Sequence, residues 1–305
     1  MTIEDRADLE YLFTEGRNPR TRDLDTLDTM GILAVMNDED HGVADAVRRA
    51  LPDIGCVVDL VVAARRAGGR LIYLGAGTAG RMGVLDAVEC PPTFGTDPGD
   101  VIGLIAGGER AFVHAVEGAE DDPELGAADL RALGLREQDV VIGLTASGRT
   151  PYAIGGLRYA RSVGASTAAV SCNPDARISQ EVDVAIEVVT GPEVLTGSTR
   201  LKAGTAQKLV CNMISTASMV RTGKAFGNLM VDVRPTNEKL VDRAQRIVTD
   251  ATGSDRHTAA LALDAAGGHA KTAIVMLMAD CSAEHARVLL DRTGGDVRSA
   301  VEIVD

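Results

Sequence analysis

Two glycine-rich turns and a few carboxylates are the parts of this chain whose types and spacing could do chemistry. The first turn runs Leu71-Ile72-Tyr73-Leu74-Gly75-Ala76-Gly77-Thr78-Ala79-Gly80-Arg81. It is an apolar run followed by glycines that let the backbone reverse and come close to an anion. A helix starting there aims free N–H groups at a phosphate or a sugar hydroxyl. Glu89 follows in Glu-Cys-Pro-Pro, where Pro91 and Pro92 are expected to stop the helix and fix the backbone around a candidate acid or base. An anion cradle and a carboxylate in one βα unit point to chemistry on a phosphorylated small molecule.

The first turn matches G-x-G-x-x-G, but no acidic residue ends a second strand at the distance that ribose binding needs, so a nicotinamide cofactor is not expected. A tight βα turn without a ligand is the plainer reading. The second turn weighs against it: Leu144-Thr145-Ala146-Ser147-Gly148-Arg149-Thr150 again follows an apolar run and precedes a helical stretch. Hydroxyls at 145, 147 and 150, a glycine and an arginine suit a phosphate monoester, and two such turns on neighbouring strands define one crevice. Glu117, Glu120, Asp121 and Asp122 cluster after Gly107-Gly108-Glu109. They read either as a solvated acidic helix end or as the source of a second carboxylate that, with Glu89, makes one acid and one base. A third segment, Gly191 to Lys208, crowds Glu193, Ser198, Lys202 and other polar groups at a helix start. It suits a cap and surface charge, or contact with a ligand or partner subunit.

These residues need a scaffold, and the pattern supplies one. Strands are expected at Arg70–Leu74, Val101–Ile105, Val140–Leu144 and Thr167–Ser171, with another extended stretch at Val182–Val189. Helices are expected at Cys56–Arg66, Ala79–Ala87, Ala111–Glu117, Glu124–Ala132 and Pro151–Ser162. Short strands alternating with helices mean an α/β fold with a doubly wound parallel sheet. Thr199–Thr222 reads as a long helix, and the remainder, punctuated by Gly253, Gly267-Gly268 and Gly294-Gly295, as a small three-helix unit. The expected organisation is an N-terminal helical arm over 1–50, a sugar-phosphate domain over 51–235 and a helical unit over 236–305.

Composition narrows the classes further. A net charge of -13 argues against nucleic acid as a partner, and the 3% aromatic content leaves few platforms for stacking bases. No apolar run is long enough to span a membrane and no basic-then-apolar leader opens the sequence, so a soluble cytoplasmic protein is expected. Five scattered cysteines without a C-x-x-C pair, and five histidines without ligand spacing, support neither disulfides nor a metal site. Cys90 and His114 read as structural.

Taken together, GAGTAGRMGVLDAVECPPTFG from Gly75, AVEGAED at 115–121, LTASGRTPYAIGGLRYAR from Leu144 and GPEVLTGSTRLKAGTAQK from Gly191 resemble the N-acetylmuramic acid 6-phosphate etherases of the SIS-domain sugar-phosphate proteins. The likeness extends from TEGRNPRT at 14–21 to RPTNEKL at 234–240 and into the terminal helices. It implies a SIS-type, flavodoxin-like sheet and a lyase of peptidoglycan amino-sugar recycling that removes D-lactate from a sugar phosphate without metal or organic cofactor. It also implies that Glu89 is the proton donor and Glu120, rather than Glu117, the second catalytic glutamate. Gly77, Thr78, Ala79, Ser147, Gly148, Arg149, Thr150, Glu193, Ser198 and Lys202 are the expected substrate and phosphate contacts. Where the family usually has Gly-Thr-Ser-Gly-Arg, this chain has Ala79 in the serine position, so weaker binding or a shifted preference is expected. Glu120 is expected to take the C2 proton and Glu89, kept protonated by partial burial, to serve the leaving lactate; the roles could be exchanged. An aldose-ketose isomerase and a non-catalytic sugar-phosphate regulator are the rival readings. A homodimer is expected, because the N-terminal arm and the Thr199–Thr222 helix each present an apolar side that one sheet domain cannot cover.

Overall fold

The structure, a computed structural model, describes residues 12–114, 116–233 and 238–303. The first eleven residues of the expected arm, Ala115 of the acidic segment and residues 234–237 lie outside that description. The chain divides into two compact units, Met1–Val88 with Gly99–Ser215, and Glu89–Pro98 with Thr216–Asp305.

The first unit holds α1 (Thr29–Arg49), α2 (Leu51–Arg66), β1 (Leu71–Gly75), most of α3 (Gly77–Phe94), β2 (Val101–Ile105) and a single turn, α4 (Arg110–Val113). Next come α5 (Pro123–Ala132), β3 (Val140–Leu144), α6 (Pro151–Val163), β4 (Ser166–Ser171), β5 (Val184–Glu187) and most of α7 (Lys202–Arg221). The five strands form one parallel sheet in the order β2-β1-β3-β4-β5. The order reverses between β1 and β3, the place where open α/β sheets bind ligands at their carboxyl ends. β1 and β3 are buried at every residue, which is why their sequences are continuous apolar runs and not alternating ones. Ile72 and Leu74 pack with Leu130, Tyr152 and Leu157 of α5 and α6. Tyr73 points the other way, donating to Asp86 of α3 (2.9 Å) and to the Cys211 carbonyl of α7 (3.2 Å). Helices therefore cover both faces, as a doubly wound sheet requires.

Three expected elements differ. The helix expected over Ala79–Ala87 begins at Gly77 and continues through Pro91 and Pro92 to Phe94. The prolines remove the donors that would meet the Ala87 and Val88 carbonyls, but they lie in the last turn, where the Thr93 hydroxyl donates to the Glu89 carbonyl (2.7 Å) and Gly95 N–H to the Pro91 carbonyl (2.9 Å). The helix expected over Ala111–Glu117 shrinks to the turn α4, followed by a 3-10 turn at Ala119–Asp121. The three-helix unit has five helices among the described residues: α8 (Glu238–Thr252), α9 (Arg256–Ala265), α10 (Ala270–Met278), α11 (Ala283–Arg292) and α12 (Val297–Glu302). These helices enclose a core that includes Val231, Val248, Ala259, Ile274 and Leu289.

Candidate functional site

The turn after β1 is built on close approach. A Cβ at Gly80 would lie 2.7 Å from the Gly75 carbonyl oxygen and from Ile105 Cγ1, so only glycine lets the first turn of α3 pack against the ends of β1 and β2. Gly77 is exposed, Thr78 half-buried and Ala79 buried. Beside this turn lies a cleft of about 190 Å³ lined by Gly77, Arg81, Ala106, Val116, Glu117 and Glu120, among others. Arg81 holds the cleft's far wall: its Nε donates to the Phe112 carbonyl (2.9 Å) and its Nη2 to the Ala111 carbonyl (2.8 Å). Glu120 therefore shares one cleft with Gly77, and the cation beside it, Arg81, was missing from the expected contacts. Its signal was available, since it is the only cation in the first turn and a half of α3. Glu117 lines the cleft as well. Glu89 is exposed and not partly buried as expected.

The turn after β3 is a small hydroxyl network. Thr145 is buried, and its Oγ1 lies 2.8 Å from Thr150 Oγ1 and accepts from Gly148 N–H (3.3 Å). Ser147 Oγ accepts from Arg149 N–H (3.3 Å). Gly148 has φ +75°, and a Cβ there would strike Ala176 Cβ at 2.4 Å. Thr150 is the N-cap residue of α6, yet its hydroxyl does not cap the helix. The first turn of α6 thus lacks side-chain capping, the arrangement in which a helix N-terminus can serve an incoming anion. Ser147, Arg149 and Thr150 are half-buried around it. Because β1 pairs directly with β3, the two turns stand side by side at the reversal of strand order.

The third segment behaves differently. Glu193 is fully buried, and its two carboxylate oxygens accept from Lys202 N–H and Ala203 N–H, each at 2.9 Å, so it closes the start of α7. Burial holds its carboxyl above the ordinary range, against the opposing pull of those two N–H groups and of Lys202. Lys202 is buried too, with its ammonium 2.7 Å from Glu39 of α1. Burial by itself would raise the Glu39 carboxyl, but bonds from Lys202 and Asn18 and the charges of Lys202 and Arg20 bring it below the ordinary range. Ser198 sits half-buried in a turn, its N–H donating to the Leu195 carbonyl. Gly204, two residues beyond Lys202, packs against Thr78, where a Cβ would meet Cγ2 at 3.2 Å. In the second unit a cleft of about 520 Å³ surrounds the buried pair Asp232 and Lys271 (2.6 Å), and none of the expected site residues lines it.

No cluster of His, Cys, Asp and Glu among the described residues is arranged to hold a metal ion. No helix among the described residues is long and apolar enough to cross a membrane.

A family model for the glucokinase regulatory protein N-terminal SIS domain matches residues 53–161, and one for the SIS domain matches residues 123–217. The N-acetylmuramic acid 6-phosphate etherase of Mycolicibacterium smegmatis is 64% identical over 294 residues, which span 96% of this chain and 99% of that protein. The etherase of an Exiguobacterium species is 59% identical, spanning 96% and 100% of the two chains, and that of Klebsiella aerogenes is 58% identical, spanning 96% and 98%. Identity of this level across nearly the whole of both chains places the protein, with its SIS-type sheet, in the N-acetylmuramic acid 6-phosphate etherase family.

Proposed function

We propose that this protein cleaves the D-lactyl ether of N-acetylmuramic acid 6-phosphate, giving N-acetylglucosamine 6-phosphate and D-lactate. The observation that carries the reading is identity of 64% to an etherase of that name over 96% of the chain. An unactivated ether resists hydrolysis, but the ring-opened sugar has an aldehyde at C1 that acidifies the C2 proton and makes O3 a β leaving group. Glu120 takes the C2 proton, the C3–O3 bond breaks, and Glu89 gives its proton to the departing lactate oxygen. Water then adds across the double bond, placing a hydroxyl on C3 and a proton on C2. Ser147, Gly148, Arg149 and Thr150 hold the 6-phosphate, whose binding energy positions C2 and C3 for the two glutamates. Gly77 and Thr78 border the sugar from the neighbouring turn, and Ala79 supplies no hydroxyl there. Glu193, Ser198 and Lys202 act from the start of α7; for Glu193 and Lys202, the bonds to the helix start and to Glu39 favour a supporting part over direct contact with substrate.

The working form in this reading is a cytoplasmic homodimer. Met30 and Leu33 of α1 are 69% and 53% exposed, and Val113 beside the first cleft is 74% exposed, which suits cover by a second copy. The match to the regulatory-protein domain keeps a binding role without turnover as the second reading. Release of D-lactate from N-acetylmuramic acid 6-phosphate by the purified protein, followed with a lactate dehydrogenase couple, decides between them. Turnover supports the etherase; tight sugar-phosphate binding with no lactate released refutes it. Light scattering at micromolar concentration tests the dimer, and a mass near 31.8 kDa with full activity would show that one chain suffices.

A further inference from the structure

The segment Thr14–Thr21 belongs to no long helix, yet Thr14, Asn18 and Thr21 are buried and bonded to loops at the carboxyl edge of the sheet. Thr14 is fully buried: its N–H donates to Asn173 Oδ1 (3.3 Å) and its Oγ1 accepts from Asn173 Nδ2 (3.0 Å). Asn173 Nδ2 also donates to the Ala146 carbonyl (3.0 Å), which accepts from Cys172 N–H at the same distance. Further along, Asn18 Nδ2 donates to Glu39 (2.8 Å) and to the Pro192 carbonyl (3.4 Å), and the Thr21 hydroxyl donates to the Val194 carbonyl (2.8 Å). The segment thus straps the loop after β4, and through Asn173 the β3–α6 turn, to the loop before α7.

The bond to Ala146 matters most. Ala146 precedes Ser147, and the peptide joining them is planar and trans, so its carbonyl and its N–H point in opposite directions. Holding the Ala146 carbonyl on the side of Asn173 and Cys172 turns the Ser147 N–H to the other side. We propose that Thr14 and Asn173 form a latch that aims the Ser147 N–H and hydroxyl at the 6-phosphate, making both positioning residues for phosphate recognition. The latch rests on the reading of the β3–α6 turn as the phosphate loop. Loss of the latch leaves the Ala146 carbonyl held by Cys172 N–H without the Asn173 bond to fix its direction, which loosens that peptide and weakens phosphate binding while the carboxylates and their reaction are untouched.

The test compares Thr14→Val, which keeps the shape and loses the oxygen, with Thr14→Ser, which keeps the oxygen, and with Asn173→Asp, which keeps the shape and loses the donor to Ala146. Ser147→Ala is run beside them, and thermal melts establish that each variant is folded. Thr14→Val and Asn173→Asp are expected to raise KM for N-acetylmuramic acid 6-phosphate and the inhibition constant of inorganic phosphate by about threefold to tenfold, the size of one lost hydrogen bond. Their kcat stays near wild type, and Thr14→Ser restores the parent behaviour. If Ser147→Ala weakens phosphate inhibition and neither latch variant does, the latch is wrong and the phosphate loop stands. Unchanged phosphate inhibition in Thr14→Val, Asn173→Asp and Ser147→Ala overturns both. A fall in kcat as large as the rise in KM, with phosphate inhibition unchanged in the latch variants, overturns the latch by showing a general structural effect.

Discussion

Glu193 is the expected contact for which structure and resemblance can be separated most cleanly, through Glu193→Ala. Its carboxylate accepts two backbone N–H groups at 2.9 Å at the start of α7, and a bond to a charged group contributes about 1.5–3 kcal/mol. The two bonds share one carboxylate and are not additive. Burial already disfavours the charged form, as the raised carboxyl records, and the alanine variant regains that cost. The partner ammonium of Lys202 keeps Glu39 at 2.7 Å, so no buried charge is orphaned. These opposing contributions leave a net loss of at most about 3 kcal/mol, which lowers the midpoint of urea unfolding by up to about 1 M. Circular dichroism across a urea series reads it directly. KM should rise only as far as the start of α7 loosens. An unchanged midpoint combined with a collapse in substrate affinity would refute the cap and make Glu193 a direct ligand.

Three further outcomes follow from the same geometry. Glu89→Ala should abolish lactate release while C2 proton exchange with deuterated solvent stays measurable by NMR, because the base survives; near-normal turnover would remove Glu89 from the mechanism. Thr150→Ala should raise KM for the phosphorylated substrate with little change in kcat, by about 1–3 kcal/mol in kcat/KM, and an unchanged KM would place the phosphate elsewhere. Stability should also fall in acid. Burial alone would raise the carboxyls of Asp139 and Asp232, but bonds from Arg70 and Arg136, and from His269 and Lys271, bring both below the ordinary 3.8. A depressed carboxyl adds stability that is present above its unfolded value and is lost as pH falls through the folded one. Urea midpoints should therefore drop from about pH 5 toward pH 3, with a shallower drop in Asp139→Asn; a flat profile in the parent would refute the linkage.

What could be read ahead of the structure depended on whether the controlling interactions were local. β1 and β3 were legible because strands buried on both faces must be apolar throughout, and glycine turns at their ends mark where the backbone reverses. The turn after β3 was legible as a local motif for a similar reason: Thr145, Ser147, Gly148 and Thr150 interact within six residues. The end of α3 was not, because a proline costs less in a helix's last turn than in its interior, and where that turn falls is set by the bonds that close it, here Thr93 to the Glu89 carbonyl and Gly95 N–H to the Pro91 carbonyl. Glu193 and Lys202 stood out as polar residues crowded at a helix start, but charge density cannot distinguish a ligand contact from a cap and a buried ion pair. Glu39, which takes the Lys202 ammonium, lies 163 positions away. The strap at Thr14–Thr21 is the extreme case. It has no apolar period and reads as a break in a polar arm, while Thr14 is completed by Asn173, 159 positions distant. A buried threonine must spend both its N–H and its hydroxyl on partners, and the sequence around it holds no trace of where they are. The residues that set the orientation of a local motif can thus be invisible to any reading of that motif, and the place to look for them is the buried polar groups that no local pattern explains.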